Sequence, residues 1–128
     1  MMRVVDTSAW IEWLLGTALG KRLEPELPSN DEWIVPTIVQ YELMRASIRA
    51  LSKAQADAAL AFSKKLAVRR LDTDLAVEAA DYAARHSLAM ADAVIYATAM
   101  NAGADLLTCD AHFANLPGVV YFAKTPSP

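Results

Sequence analysis

A lone cysteine, Cys109, means that no internal disulfide can tie the chain together, so packing must supply its stability. Burial as a small hydrophobe accounts for one thiol, and the count is compatible with a reducing compartment. Glycine occurs four times and proline six, with no low-complexity tract, which excludes disordered and repeat organisations. Long apolar runs are missing as well. The stretch Ala93 to Ala104, bracketed by Asp92 and Asp105, falls short of the roughly 20 residues needed to cross a bilayer. At the N-terminus Asp6 and Glu12 interrupt the apolar segment after Arg3, where a secretory leader needs continuity. The expectation is a soluble, cytoplasmic protein with no membrane association. Positive charge is also in short supply: 12 Lys and Arg face 15 Asp and Glu, for a net charge of -3. What the chain has is apolar residues, 55% of 128, enough for one core in one domain over residues 1–124, with 125–128 as a frayed tail.

Arg3-Val4-Val5 reads as a short strand ending in Asp6-Thr7-Ser8, with Ser8 as N-cap of a helix that opens at Ala9-Trp10-Ile11. A second helix is predicted from Thr17 to Glu24, stopped by Pro25 and Pro28. Trp33-Ile34-Val35 is a second strand closed by Pro36. Thr37 and Gln40 then have the spacing of a capping box for a helix to about Ala50, and Ser52 with Gln55 repeats it for a helix to about Leu66. Val68 to Leu71 reads as a third strand, and Asp72 or Thr73 caps a helix through His86. Ala91 to Ala102 forms an alanine-rich helix ended by Gly103. Leu106 to Cys109 is a strand, Asp110 to Leu116 a short helix, and Val119 to Phe122 a last strand. Strands interspersed with helices predict an α/β sandwich, a short and mainly parallel sheet covered on both faces.

In open parallel sheets ligands bind beyond the carboxyl ends of the strands, so polar residues there are the ones to weigh. Asp6 follows the first strand and Asp110 follows the strand ending in Thr108-Cys109, so both belong in one crevice. Asp92, in the first turn of the alanine-rich helix, is either a simple cap or a member of the same group. Glu42 borders an apolar stripe, Ile38, Val39, Leu43 and Met44, where a carboxylate needs a partner; Arg45, on its face of the helix, is the ordinary one. Carboxylates gathered in a crevice repel one another and stay ionised only with compensating cations. Oxygen-only ligation suits Mg²⁺ or Mn²⁺ rather than Zn²⁺, and His86 and His112 have no ligand-like spacing with the cysteine. Such an ion activates water for attack on phosphorus, so the pattern points to phosphodiester hydrolysis. Setting these four acids aside leaves 11 acids against 12 bases, which removes the charge objection to a nucleic-acid substrate.

The opening VVDTSAWIEWL, the segment YELMRAS and the segment MADAVIYATAMNAGADLLTCDAHF, in this order and spacing, resemble the PIN-domain nucleases. Within that family they are most similar to the VapC-type toxins of bacterial toxin and antitoxin pairs. The resemblance implies a PIN-like sandwich and an Mg²⁺-dependent endoribonuclease, with Mn²⁺ as substitute. It further implies a homodimer held inactive by a cognate antitoxin. Carried over by position, Asp6 and Asp92 are the principal metal ligands and Glu42 and Asp110 complete the acidic pocket. Thr108, and Thr7 or Ser8, orient carboxylates or water. From Arg49 to Leu71 no family motif appears.

Two other readings compete. A receiver-like signalling domain has this length, but its phospho-acceptor should end a central strand, whereas Asp57 lies inside a predicted helix. A catalytically inactive PIN-type binding module would lack one of the acids, and all four are here. Trp10, Trp13, Leu14 and Leu15 read as core, with a partner groove as the alternative. Lys64, Lys65, Arg69 and Arg70 are the densest basic cluster, either a solvated helix end or an RNA contact. Arg45 and Arg49, on the stripe of Glu42, are better placed for RNA or a partner.

Overall fold

The computed structural model describes residues 1–124; the expected frayed tail, 125–128, lies outside the described residues. Among the described residues five strands form one sheet: β1 (Arg3–Val5), β2 (Trp33–Pro36), β3 (Ala67–Arg69), β4 (Asp105–Thr108) and β5 (Val119–Tyr121). Six helices flank it: α1 (Thr7–Leu15), α2 (Ala18–Leu23), α3 (Thr37–Ala46), α4 (Lys53–Ser63), α5 (Thr73–His86) and α6 (Met90–Asn101). The spatial order is β3-β2-β1-β4-β5 and every pairing is parallel, so the expected mainly parallel sandwich is wholly parallel here. Neighbouring residues of a strand point to opposite faces, and both members of Val4-Val5, Ile34-Val35 and Leu106-Leu107 are buried. Both faces of the central strands are therefore covered. The order reverses between β1 and β4, and a crevice opens there at the strand ends.

Helix α6 carries the packing. Its residues Ala93 to Ala99 are all buried, and it touches β1, β2 and β4 as well as α3 and α5. Alanine at 93, 97 and 99 lets the helix axis approach the sheet, while Tyr96 spends its hydroxyl on the Pro117 carbonyl at 2.7 Å. At the other side Trp10, Trp13, Trp33 and Phe62 pack ring against ring, with centroids 4.8 to 6.1 Å apart. Trp10 and Trp13 thus belong to the core, as expected, whereas Leu15 stays exposed.

Several boundaries differ from expectation, each for a local reason. Helix α1 starts at Thr7, with Asp6 in the N-cap position, because the Ser8 hydroxyl is engaged elsewhere. Thr17 caps α2 by accepting the Gly20 N–H at 2.9 Å, and a 3₁₀ turn over Glu24–Glu26 carries Pro25. The Thr37 and Gln40 capping box is absent: Pro36 holds the N-cap, and the Gln40 amide donates to Ser63 Oγ on α4 at 3.0 Å. The box at Ser52 is present in both directions. Helix α3 ends at Ala46 rather than Ala50, where the Ser47 hydroxyl donates back to the Met44 carbonyl at 2.7 Å and draws off a backbone acceptor. Asp72, not Thr73, caps α5 by accepting the Leu75 N–H at 2.9 Å. Gly103 ends the α6 segment at a φ of 64°, a conformation only glycine adopts freely. The short helix after Asp110 shrinks to a 3₁₀ turn, Ala111–Phe113.

Gly20, inside α2, gives a prediction whose sign runs against helix propensity. Alanine is better than glycine in a helix by about 1 kcal/mol, but a Cβ here would lie within contact distance of the Glu12 carbonyl on the backbone of α1. Backbone cannot yield as a side chain does, so Gly20→Ala is expected to destabilise by roughly 2 kcal/mol, read from the urea midpoint at constant slope.

Candidate active site

At the reversal point the chain leaves β1 directly into Asp6, whose N–H donates to the Leu107 carbonyl of β4 at 2.8 Å. That bond draws the ends of β1 and β4 together over a carboxylate that is 4% exposed. Asp6 Oδ2 accepts two hydroxyls, Ser8 Oγ at 2.7 Å and Thr108 Oγ1 at 2.8 Å. Each hydroxyl has one proton to give, so the remaining contacts of both are as acceptors: Ser8 Oγ takes the Cys109 N–H at 3.0 Å and Thr108 Oγ1 takes the Asp110 N–H at 2.9 Å. The backbone after β4 is thereby tied to the side chain after β1.

Glu42 reaches the same place from α3. Thr7 Oγ1, at the start of α1, donates to Glu42 Oε1 at 2.6 Å. The expected Arg45 ion pair is not formed, since Arg45 donates to the Tyr41 hydroxyl at 3.1 Å and leaves the Glu42 carboxylate to the site. Asp92 sits in the first turn of α6, where Ala89 is the N-cap and no side chain caps, so Asp92 is not a cap. Asp110 is one: its Oδ1 accepts the His112 N–H at 2.9 Å and closes the 3₁₀ turn. That turn brings in a residue the sequence did not point to. His112 Nδ1 lies 3.2 Å from Asp110 Oδ1 and 3.7 Å from Asp92 Oδ2. Its only sequence signal was a position two residues past an acid at a strand end. His86, by contrast, stacks against Tyr82 at the end of α5.

The carboxylates feel one another. Burial raises the Asp6 pKa above its ordinary value against the pull of the Ser8 and Thr108 hydrogen bonds, and the Asp110 charge adds to the rise. Burial raises Glu42 too, with Thr7 opposing and Asp6 and Asp110 adding. Asp92 is pushed up to about 6, by burial first and then by Asp110, Asp6 and Glu42, with His112 pulling the other way. Among the described residues no lysine or arginine forms an ion pair with any of the four. The donor set is oxygen with one imidazole, and the ligand atoms of Asp92, Asp110 and His112 lie within 4.8 Å of one another. Such donors and this uncompensated charge fit a hard divalent cation. Cys109 offers no thiolate, since burial and nearby acids push its thiol up to about 11.

Beside Glu42 runs an open groove of about 530 Å³, lined by Thr7, Ile11, Tyr41, Arg45 and Arg49 among others. Arg49 reaches it from the turns beyond α3 and not from the helical stripe expected for it. Of the other basic cluster, Lys64, Lys65 and Arg70 are solvated, and Arg69 donates to Asn101 Oδ1 at 2.7 Å. Asp57 pairs with Lys53 at 2.6 Å on the solvent side of α4, which rules it out as a strand-end phospho-acceptor.

The sequence matches the PIN domain family over residues 3–119. No curated protein sequence matches the chain. Among solved structures, a toxin-antitoxin complex from Klebsiella pneumoniae superimposes with a TM-score of 0.76 at 24% identity, covering 92% of this chain and 95% of that one. VapC20 from Mycobacterium tuberculosis, a sarcin-ricin loop cleaving toxin, gives 0.72 at 25% identity over 91% and 96%. FitAcB from Neisseria gonorrhoeae gives 0.70 at 21% identity over 94% and 96%.

Asp92 supplies a pH test. Its folded-state pKa of about 6 lies above the ordinary 3.8, so the folded protein holds this proton more tightly than the unfolded chain, and stability falls as the pH rises through that interval. Asp92→Asn removes the charge at every pH. In metal-free buffer the variant is expected to match the wild type at about pH 3, below the unfolded-state value, and exceed it above pH 7 by about 1–2 kcal/mol, after discounting for the part of the carboxylate that water screens. Thermal melts of both proteins across that range, with EDTA present, check it.

Proposed function

The chain belongs to the PIN domain family, and from that membership we propose that it is a metal-dependent endoribonuclease and the toxin of a toxin and antitoxin pair. One observation carries the reading: four carboxylates, from the ends of β1 and β4 and from α3 and α6, meet where strand order reverses; burial and neighbouring acids raise the proton affinity of Asp6, Glu42 and Asp92, and no lysine or arginine among the described residues is in ion-pair contact with the four. A site of that kind is electrostatically unsatisfied without a cation.

Asp6 and Asp92 are the principal ligands for Mg²⁺, with Mn²⁺ as a substitute, and Glu42 and Asp110 complete the pocket. Bound there, the ion supplies charge neutralisation at a phosphodiester and lowers the pKa of water. The chain's own residues supply the order. Thr108 and Ser8 fix the Asp6 carboxylate through Oδ2, and Thr7 fixes that of Glu42 through Oε1. With those torsions already held, little orientational freedom is lost when substrate arrives. RNA is the substrate and the groove beside Glu42 its approach, where Arg45 and Arg49 meet phosphates or a protein partner.

A single nuclease domain over residues 1–124, a homodimer, a cognate antitoxin as partner and a cytoplasmic location complete the reading. It is supported by structural neighbours that are toxin and antitoxin complexes, one neighbour that is an RNA-cleaving toxin, and the absence of any helix, among the described residues, long and apolar enough to cross a membrane.

The test is cleavage of mixed cellular RNA by the purified chain in Mg²⁺ or Mn²⁺, with EDTA and Asp6→Asn as parallel arms. Cleavage is expected to disappear with EDTA and to fall at least about 100-fold in Asp6→Asn. Because the substitution removes a charge that burial disfavours, its melting temperature is expected to equal or exceed that of the wild type. Near-normal turnover by Asp6→Asn overturns the site assignment, and metal-independent cleavage overturns the mechanism.

A further inference from the structure

Family position and strand-end logic both select carboxylates; the ring of His112 is chosen by neither. The backbone that carries it is nevertheless held in place. Asp110 Oδ1 accepts the His112 N–H at 2.9 Å, and Phe113, fully buried, pins the same turn to the core. The result sets Nδ1 3.2 Å from Asp110 Oδ1 and 3.7 Å from Asp92 Oδ2, on the side of the turn that faces α6.

Two donors each about 2.1 Å from one ion lie about 3.0 Å apart when adjacent in an octahedron and about 4.2 Å apart when opposite. Both measured separations are shorter than the longer of these, the most that two donors of one ion can span. The imidazole is thus close enough to the aspartate of α6 and to the aspartate following β4 to share an ion with each.

We propose that His112 Nδ1 is a ligand of the divalent ion shared by Asp92 and Asp110, so that this end of the pocket is a mixed nitrogen and oxygen site. The inference rests on the metal-dependent reading above. Its chemical consequence is selectivity. Mg²⁺ takes oxygen donors and gains little from imidazole, whereas Mn²⁺ and the later first-row ions gain more. For Nδ1 to face the ion with its lone pair, the ring proton resides on Nε2.

The chain has two histidines, so a nitrogen signal can be assigned. Wild-type protein, His112→Ala and, as control, His86→Ala are titrated with Mn²⁺ and with Mg²⁺ by calorimetry, and the ¹⁴N coupling to bound Mn²⁺ is read by pulsed EPR. His112 is exposed, so its truncation leaves the core intact, and a melting curve verifies that. The expected result is ¹⁴N coupling in the wild type and in His86→Ala but not in His112→Ala. Mn²⁺ affinity falls about tenfold in His112→Ala and Mg²⁺ affinity by less than about threefold. Bound Mn²⁺ without ¹⁴N coupling in the wild type overturns His112 as a ligand and leaves the nuclease reading standing. A wild-type protein that binds neither ion overturns both.

Discussion

Where the chain turns from β1 into α1, Asp6 has nowhere to go but inward, and β4 and the first turn of α1 close over it. Burying a carboxylate there costs on the order of several kcal/mol unless protein donors replace the lost water. The Ser8 and Thr108 hydroxyls are those donors, and because each also accepts a backbone N–H just past β4, satisfying Asp6 fixes the path of the chain through Cys109 and Asp110. Removing either hydroxyl would leave unpaired groups on both sides of the seam. The parallel contact between β1 and β4, the crevice at their ends and the position of Asp110 all depend on this small buried network.

The other acids are less well provided for, and the differences track their partners. Glu42 has one hydroxyl, from Thr7, while among the described residues no side chain donates a hydrogen bond to Asp92, which is pushed up to about 6. A chain selected for stability alone would not gather these charges. Local rules are broken most often where function demands it, and under the proposed function a cation in the pocket relieves the conflict. Under the proposed function the same reasoning reconciles a net charge of -3 with a polyanionic substrate, since four of the 15 acids lie where a bound cation would offset them.

Placing Asp92 is the work of α6. Its buried run from Ala93 to Ala99 fastens it across β1, β2 and β4, and a helix held along that much of its length presents its first turn with little play. Alanine suits the task because a small side chain brings the backbone near the sheet without losing rotamer freedom. Metal ligands require positional accuracy of this order, and rigid elements supply it better than loops do.

Much of this was readable in the residue order. The alternation of strand and helix signals identified the α/β sandwich, and the rule that ligands gather beyond parallel strand ends singled out Asp6 and Asp110. A carboxylate beside an apolar helical stripe drew attention to Glu42, the first turn of the alanine-rich helix to Asp92, and the gathering of acids to a hard cation; resemblance to the PIN-domain nucleases added Thr108 and the roles. These are local or one-dimensional properties: a period, a cap, a residue type at a turn. Tertiary structure alone decided what each group pairs with. Arg45 is one helical turn from Glu42, yet the carboxylate turned to Thr7 across the site; Ser8 had the look of a cap and became a tether; Gln40 had the form of half a capping box and bonded to α4. His112 joined the acids only because a 3₁₀ turn after β4 lies against the start of α6. A hydrogen bond made within one segment competes with partners that arrive only when distant segments pack, and burial favours the pairing that leaves fewest polar groups unsatisfied.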